Sequence, residues 1–280
     1  MIIAMFLFAS GDAAAKFLSN SYHPAQIIWF RQLGLFVGVC LMLCISGTSV
    51  LKTKQPTLQI TRGVLVVLSS VVFVFAIRHV ALADAVAISF VAPFFLTLLA
   101  AVLLKEKVGI RRWSAVVVGF VGALIIIRPG MGVVHQSALL IILAAALFAG
   151  RQVIGRLLAD TDKTTTTIAY TAIAASLLIS LFLPFVWEFP KDTQAWMLFI
   201  LIGILAAIAE ILIIVSLELT EAATVAPMHY TIILWGTLYG FLFFDQLPDL
   251  WTLVGTVIII AAGIYTLKRS EARAGKATKP

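Results

Sequence analysis

Charged side chains inside strongly apolar segments are the residues of this sequence best placed to do chemistry. Asp12 and Lys16 lie four residues apart in the stretch FLFASGDAAAKFLSN, and Arg31, Arg151 and Glu210 lie in other apolar runs. A charge at the centre of a membrane helix costs about 2.5–3.5 kcal/mol, and such residues generally face the bundle interior or a water-filled cavity. We therefore expect these side chains to bind a substrate or to pair with one another.

Two stripes of residues carry several of these charges and repeat one another. Phe8, Asp12 and Lys16 follow each other at a spacing of four residues, which places them on one face of a helix. A shift of 140 positions, half the length of the chain, lays them over Phe148, Gln152 and Arg156. We expect both stripes to face a central cavity. The alternative is that Lys16 only reaches the outer interface, with Asp12 as its partner on the same helix.

The depth of the charges along their helices predicts two ion pairs. Asp12 with Arg31 forms the outer pair and Arg151 with Glu210 the inner pair, each about 9 Å from its membrane surface at 1.5 Å of rise per residue. Two such pairs at opposite depths would suit two gates. The alternative is static pairing that merely makes the burial of charge tolerable.

Proline, histidine and aromatic residues in the spans are further candidates for the binding site. Pro93 and Pro227 interrupt the fourth and ninth predicted spans, and broken helices often border the binding site of a transporter. The other candidates for the cavity lining are His79, Phe94, His229, Tyr230 and Trp235. Each has a structural alternative, because histidines in spans are often hydrogen-bonded within the protein and aromatic residues often serve packing or the interfacial belt.

Composition places the chain among membrane proteins. Of its 280 residues, 62% are hydrophobic and 12% are charged, and the mean hydropathy is +1.09. Soluble domains are about half apolar and about a quarter charged. Ten long apolar runs indicate an all-α membrane protein with ten transmembrane helices, because about 20 apolar residues cross a bilayer as a helix. The predicted spans are 2–19, 26–46, 62–79, 84–104, 112–127, 137–157, 166–186, 195–215, 222–244 and 250–267.

Basic residues in the loops, at the helix ends and in the C-terminal tail predict the orientation. With the N-terminus inside, fourteen basic residues fall on the inner side and three on the outer side, and both termini are cytoplasmic. The inner residues are Lys52, Lys54, Arg62, Lys105, Lys107, Arg111, Arg112, Arg156, Lys163, Lys268, Arg269, Arg273, Lys276 and Lys279, and the outer ones are Arg78, Arg128 and Lys191. These loops also account for the net charge of +7, so we expect no nucleic-acid partner.

Repetition between the two halves of the chain predicts how the spans are arranged. After the shift by 140, LFASGDAAAKFL overlies LFAGRQVIGRLL, and Glu106 falls near Asp245. Because each half holds five spans, an odd number, the second half must lie upside down relative to the first, as in many secondary transporters. We predict a first five-helix repeat at 1–135, an inverted repeat at 136–268 and a basic cytoplasmic tail at 269–280.

Two long segments carry a family resemblance. They are ALADAVAISFVAPFFLTLLAAVLLKEKVGIRRWSAVVVGFVGALIIIRPG (81–130) and VAPMHYTIILWGTLYGFLFFDQLPDLWTLVGTVIIIAAGIY (225–265). Both resemble the signature of EamA-type proteins of the drug/metabolite transporter superfamily. The resemblance implies ten helices in two inverted repeats around a central cavity, and export or exchange of small metabolites such as amino acids. Asp245 departs from the pattern, since relatives usually carry Glu there, and Gly11–Asp12 stands where many carry Trp-Gly.

Other classes of function are disfavoured by the sequence. The hydrolase motifs HExxH and GxSxG and any nucleotide-binding motif are absent, and no His, Cys and carboxylate cluster has metal-ligand spacing. We therefore expect no enzymatic activity, cofactor or metal, and a monomer in the inner (plasma) membrane that acts on a small-molecule substrate. The alternative to an exporter is an uptake transporter or an exchanger for a nucleotide-like or other small metabolite. A channel is a further rival, because inverted halves also occur in pores.

Overall fold

The computed structural model describes residues 1–103, 109–128, 137–159, 161–219 and 226–277, and within these ranges the regular elements are all helical. The helices are α1 (Ile2–Ser19), α2 (Pro24–Ser46), α3 (Pro56–Ile77), α4 (Leu82–Ser89), α5 (Ala92–Leu103), α6 (Ile110–Ile127), α7 (Ala138–Ala159), α8 (Thr164–Val186), α9 (Thr193–Leu219), α10 (Thr231–Phe244) and α11 (Leu250–Ala277). Short 3-10 helices cover Thr48–Leu51 and Ala226–Tyr230.

The helices of the described residues have the length and apolar character expected of a multi-pass membrane protein. Seven helical segments are long and apolar enough to cross a membrane, and three shorter apolar helices complete a set of ten. One of the seven is formed by α4 and α5 together. The prediction of an all-α membrane protein is confirmed.

Three boundaries differ from the sequence-based expectation. Helix α3 begins at Pro56, so Arg62, which we expected in an inner loop, lies one and a half turns inside the helix. Proline at the first helical position is favourable, because its missing N–H would have no partner there. The fourth span is divided at Ser89–Ala92 into α4 and α5. Helix α11 continues to Ala277, through most of the segment expected to be a tail.

Helix packing joins the two halves of the chain. Helix α1 packs against α9 and α10, and α7 packs against α3 and α5. Helix α2 packs against α8 and α9, α3 against α8, α4 against α10, and α6 against α11. Spans at equivalent positions in the two halves therefore have equivalent partners: the first contacts the eighth, and the sixth contacts the third. This pairing is compatible with inverted repeats, which stay a prediction, as do the repeat boundaries.

The two ends of the bundle are packed differently. We call the end where α1 ends and α2 begins the closed end, and the opposite end, where α1 begins, the open end. The largest cluster of buried apolar side chains lies at the closed end. It includes Leu18, Ile27, Ile77, Ile126, Ile141 and Phe199, from six different helices. Close helix contact supports this packing, because a Cβ on Gly34 of α2 would lie only 2.0 Å from the carbonyl oxygen of Gly203 of α9.

Candidate functional site

The stripe predicted on α7 lies on the face of that helix that points into the bundle. On this face Ile141 and Ala145 are 0% and 4% exposed at the closed end. Phe148, Gln152 and Arg156 continue the same face by helical spacing, yet they are exposed toward the open end. Helix α7 packs against both α3 and α5. We interpret the space beside the exposed stripe of Phe148, Gln152 and Arg156 as the central cavity.

Asp12 and Arg31 form an ion pair. The Arg31 Nη1 donates to the Asp12 Oδ1 at 3.0 Å, and the two side chains are 20% and 10% exposed. The Arg31 guanidinium also lies over the ring of Phe8, 5.3 Å from its centroid. The aromatic and acidic members of the first stripe therefore share one cationic partner from α2. Pairing makes the burial of both charges tolerable.

Lys16, the basic member of the first stripe, is buried at the closed end rather than reaching the outer interface. Its Nζ donates to the carbonyl oxygen of Ile77 at 2.7 Å and to that of Val80. These carbonyls belong to the last turn of α3 and the chain just after it, where backbone acceptors lack helical partners. Asp84 provides the nearest favourable charge. Lys16 therefore caps α3, and the partner of Asp12 is Arg31 instead of Lys16.

Arg151 and Glu210, the predicted inner pair, do not form an ion pair. The ion pairs among the described residues are Asp12–Arg31 and one at the closed end, Arg128–Asp249. The Arg151 guanidinium instead stacks on Phe148, one turn earlier on α7, 4.2 Å from the ring centroid. Glu210 still attracts it electrostatically. The prediction of a direct inner ion pair is corrected: the Arg151 guanidinium lies over the Phe148 ring and forms no ion pair with Glu210.

Electrostatic interactions link the charges of the two predicted pairs. Arg151 interacts electrostatically with Arg31 and Arg62 as well as with Glu210, and Glu210 also attracts Arg62. Asp12 joins this cluster through Arg31. We call Asp12, Arg31, Arg62, Arg151 and Glu210 the charged cluster.

Arg62 is a member of the charged cluster that the sequence analysis missed. Its Nη1 donates to the Thr171 hydroxyl on α8, and a Cβ on Gly155 of α7 would lie 3.4 Å from its Nε. The Arg62 side chain therefore extends from α3 to α8 and lies beside Gly155 of α7. The signal in the sequence was Pro56, a helix-start residue six positions earlier.

The predicted helix breaks border a small pocket. Pro93 and Phe94, at the start of α5, line it together with Tyr230 and Gly263. The Tyr230 ring lies 4.7 Å from that of Phe90, and its hydroxyl lies where a side chain on position 263 would be. Three of the predicted site residues are therefore neighbours, away from the charged cluster. Pro227 lies in the 3-10 helix before α10, and its side chain is outside the described residues.

The remaining candidates are scattered. Trp235 packs against Phe6 at 5.2 Å between ring centroids, and its buried indole Nε1 has no hydrogen-bond acceptor. His229 lies in the same 3-10 helix as Tyr230. His79 lies at the closed end, exposed, with its ring 5.9 Å from that of Phe75. His79 is thus outside the central cavity.

The site is equipped for binding more than for covalent chemistry. Among the described residues, no group of three or more His, Cys, Asp or Glu could hold a metal ion. The groups that meet are guanidinium, carboxylate and aromatic side chains, which bind ions and polar small molecules through hydrogen bonds and stacking.

Comparisons with known proteins identify the family. The model of the EamA-like transporter family matches residues 1–128 and 135–267. The S-adenosylmethionine uptake transporter of Rickettsia bellii is 25% identical over 95% of this chain and 91% of its own length. The riboflavin transporter of Brucella anthropi is 29% identical over 97% and 98%, and the pseudopaline exporter CntI of Pseudomonas aeruginosa is 28% identical over 94% and 93%.

A solved protein structure shares the fold. It superposes with a TM-score of 0.64 at 15% identity and covers 98% of this chain and 95% of its own. The resemblance seen in the sequence is confirmed, since the family model matches both halves and the similar proteins are drug/metabolite-type transporters of small molecules. The chain belongs to the EamA-like transporter family.

Proposed function

We propose that the protein is a secondary transporter that moves small metabolites, amino acids foremost, out of the cell by alternating access. The observation that carries the proposal is the central cavity, whose face of α7 is buried at one end of the bundle and exposed at the other. A path that is open at one end only is what one state of an alternating-access cycle requires. A channel in its conducting state would be open at both ends.

We further propose that the open end faces the cytoplasm. The connections at this end carry Lys52, Lys54 and Lys163, whereas those at the closed end carry Arg78, Arg128 and Lys191. The sequence-wide excess of basic residues on the predicted inner side supports the same orientation. The protein then lies in the inner membrane with both termini in the cytoplasm, and the cavity is in the state that loads substrate for export.

Uptake is the second candidate function. The cavity that loads an exporter from the cytoplasm is also the cavity from which an importer releases its substrate. The relatives point both ways, because one is an S-adenosylmethionine uptake transporter and another is a pseudopaline exporter. We favour export because the two signature segments, 81–130 and 225–265, resemble those of family members that export amino acids and similar metabolites.

Transport by the purified protein in liposomes tests the proposal. Vesicles are loaded with labelled amino acids, S-adenosylmethionine or riboflavin, and flux is followed with and without a pH gradient. We expect saturable flux of at least one compound. Asp12→Asn and Gln152→Ala should each lower it several-fold, while Leu143→Ala, on the opposite exposed face of α7, should not.

Two results would contradict the proposal. Flux that stays proportional to concentration at all concentrations would favour a channel. No flux of any compound above that of empty vesicles would remove the proposed substrate classes. The direction of transport is determined separately, from the side of the membrane on which an impermeant substrate binds first.

A further inference from the structure

The charged cluster has more positive than negative groups. Its three guanidinium groups face two carboxylates, and the carboxylate of Asp12 is already hydrogen-bonded to Arg31. Glu210 is the acidic residue that attracts Arg62 and Arg151, and it forms an ion pair with neither. Arg62 and Arg151 are therefore both attracted by the Glu210 carboxylate without a direct ion pair. Charges removed from water are normally paired and fully hydrogen-bonded.

Both of these arginines also carry unused hydrogen-bond donors. The Nε of Arg62 and the Nε of Arg151 are buried and have no hydrogen-bond acceptor in the protein. The Nη1 of Arg62 donates to the Thr171 hydroxyl, and the Arg151 guanidinium lies over the Phe148 ring. Stacking on a ring and bonding to a neighbouring hydroxyl hold the two guanidinium planes in place without neutralising them. A buried donor without a partner is costly, so an acceptor is missing from this place.

The arrangement is accessible from the open end. Gln152, on the exposed stripe, follows Arg151 directly in the sequence. Arg156, on the same stripe, lies one turn farther toward the open end. Along α7, a ligand that enters the central cavity from that end passes Arg156 and Gln152 before it reaches the depth of Arg151, and Arg62 lies beside Gly155 on this path. The positive charge of Arg156 on this path raises the local concentration of anions.

We propose that Arg62 and Arg151 form a carboxylate-binding subsite in the central cavity, with Phe148 positioning Arg151. Guanidinium matches carboxylate in planar geometry and binds it through charge-assisted hydrogen bonds. This inference rests on the proposed transport function, because it names the chemical class of the substrate: a small metabolite that carries a carboxylate. Glu210 is then the internal anion that competes with the substrate carboxylate.

Binding of two isosteric probes to the detergent-purified protein tests the subsite without any transport. Benzoate carries the carboxylate and benzamide is its neutral counterpart, and both are titrated calorimetrically at constant ionic strength. We expect benzoate to bind about tenfold or more tightly than benzamide, as one charge-assisted contact would give. Inorganic phosphate, titrated in parallel, should bind more weakly than benzoate if the site is shaped for a planar carboxylate.

Variants locate the preference. Arg151→Gln and Arg62→Gln should each abolish the discrimination between benzoate and benzamide, and Arg151→Lys should keep part of it. Arg78→Gln, the same substitution at the closed end outside the cavity, should keep all of it. Glu210→Gln should strengthen benzoate binding, because it removes the competing carboxylate, and this outcome has the opposite sign to that of a merely destabilising change.

Several results would overturn the inference. They are equal or absent binding of benzoate and benzamide by the unaltered protein, equal loss in Arg78→Gln and Arg151→Gln, and weaker benzoate binding in Glu210→Gln. If an arginine variant does not fold, Arg151→Lys and Glu210→Gln still decide the question. Carboxylate binding together with an absence of flux in liposomes would reject the transport proposal while keeping the subsite.

Discussion

The closed end and the open end of the bundle use the same helix faces in different ways. At the closed end, apolar side chains of six helices meet, and hydrogen bonds join the connections above them. Gln26 exchanges two hydrogen bonds with the backbone of Glu188, at 2.8 and 3.0 Å, and the Tyr22 hydroxyl accepts from the Lys191 amide at 2.9 Å. At this end, packing and directional bonds act together.

At the open end, the hydrogen bonds between connections in the described part of the chain join the α2–α3 connection and the start of α3 to the α7–α8 connection. Asp162, between α7 and α8, accepts hydrogen bonds from the Thr53 hydroxyl, from the backbone N–H of Lys54 at 3.2 Å and from the side-chain Nε2 of Gln59 at 2.8 Å. These bonds hold the start of α3 to α7 and α8 and leave the exposed stripe of α7 accessible. In the described part of the chain, contacts across the bundle lie at the closed end and peripheral contacts at the open end, which is the difference expected for a cavity open at one end.

The largest expected effect comes from Lys16 at the closed end. Lys16→Ala removes the cap of α3 and the favourable charge near Asp84. We expect a loss of about 3 kcal/mol in the free energy of unfolding, because two buried carbonyl oxygens lose their charged hydrogen-bond donor. Arg156→Ala, the equivalent position of the other half and exposed at the open end, should cost less than about 1 kcal/mol, because the interactions of exposed charges are weak. Equal losses in chemical unfolding in detergent would remove the difference between the ends.

An intermediate effect is expected where α2 crosses α9. Gly34→Ala places a Cβ 2.0 Å from the Gly203 carbonyl oxygen, so the helices must separate. Overpacking of this kind costs about 1–3 kcal/mol. Gly38, one turn toward the open end, has no atom within 4 Å of its ideal Cβ. Gly38→Ala should therefore be neutral or stabilising by up to about 1 kcal/mol. A thermal melt that ranks the two variants in the opposite order would contradict the crossing.

The smallest effect concerns Asp249, which caps α11 at the closed end. Partial burial raises the pKa of its carboxyl, but hydrogen bonds from the Thr252 amide and from Arg128 outweigh this and hold the pKa below its usual value. A carboxyl with a lowered folded-state pKa contributes stability above its unfolded pKa of about 3.9, and this is lost as the pH falls through the folded pKa. Because Asp249 is partly exposed, Asp249→Ala should cost only about 1 kcal/mol at pH 7.

The pH profile distinguishes this contribution from general acid unfolding. The difference in stability between the unaltered protein and Asp249→Ala should be constant from pH 7 to about 5 and should shrink below about 4. Hydrogen bonds from Thr53 and Gln59 also hold the pKa of Asp162 below its usual value. Asp162→Ala is the matched variant at the open end, and its difference in stability from the unaltered protein should follow the same pH trend. A difference between the unaltered protein and Asp249→Ala that grows as the pH falls would contradict the sign.

The fold was predictable from the sequence because hydropathy alone determines most of it. The first span was expected at 2–19 and is Ile2–Ser19, and the tenth was expected to begin at 250 and does so. Apolar length is a local property, and in lipid each span must satisfy its own backbone. The error at α3 arose because TLQIT is too polar to read as a span, although Pro56 marks a helix start.

The site was less predictable because it depends on which helices are neighbours. The contact of Asp12 with Arg31 was predictable, because the two residues lie at similar depths in adjacent spans and depth can be counted from the sequence. The absence of an ion pair between Arg151 and Glu210 was not predictable, because spacing along the chain does not decide which side chains come into contact across the bundle. The part of Arg62 depends on its position beside Gly155 of α7, which becomes apparent only when α3 and α7 are known to touch.

Accessibility of two positions on one face of α7 tests most directly the claim that the cavity opens at one end. In a background with Cys40 and Cys44 replaced by alanine, Gln152→Cys and Ala145→Cys are treated with a membrane-impermeant maleimide in inside-out and right-side-out vesicles. The account predicts fast labelling of Gln152→Cys from the cytoplasmic side only, and slow labelling of Ala145→Cys from either side. Equal labelling of the two positions, or labelling of Gln152→Cys only from outside, would contradict it.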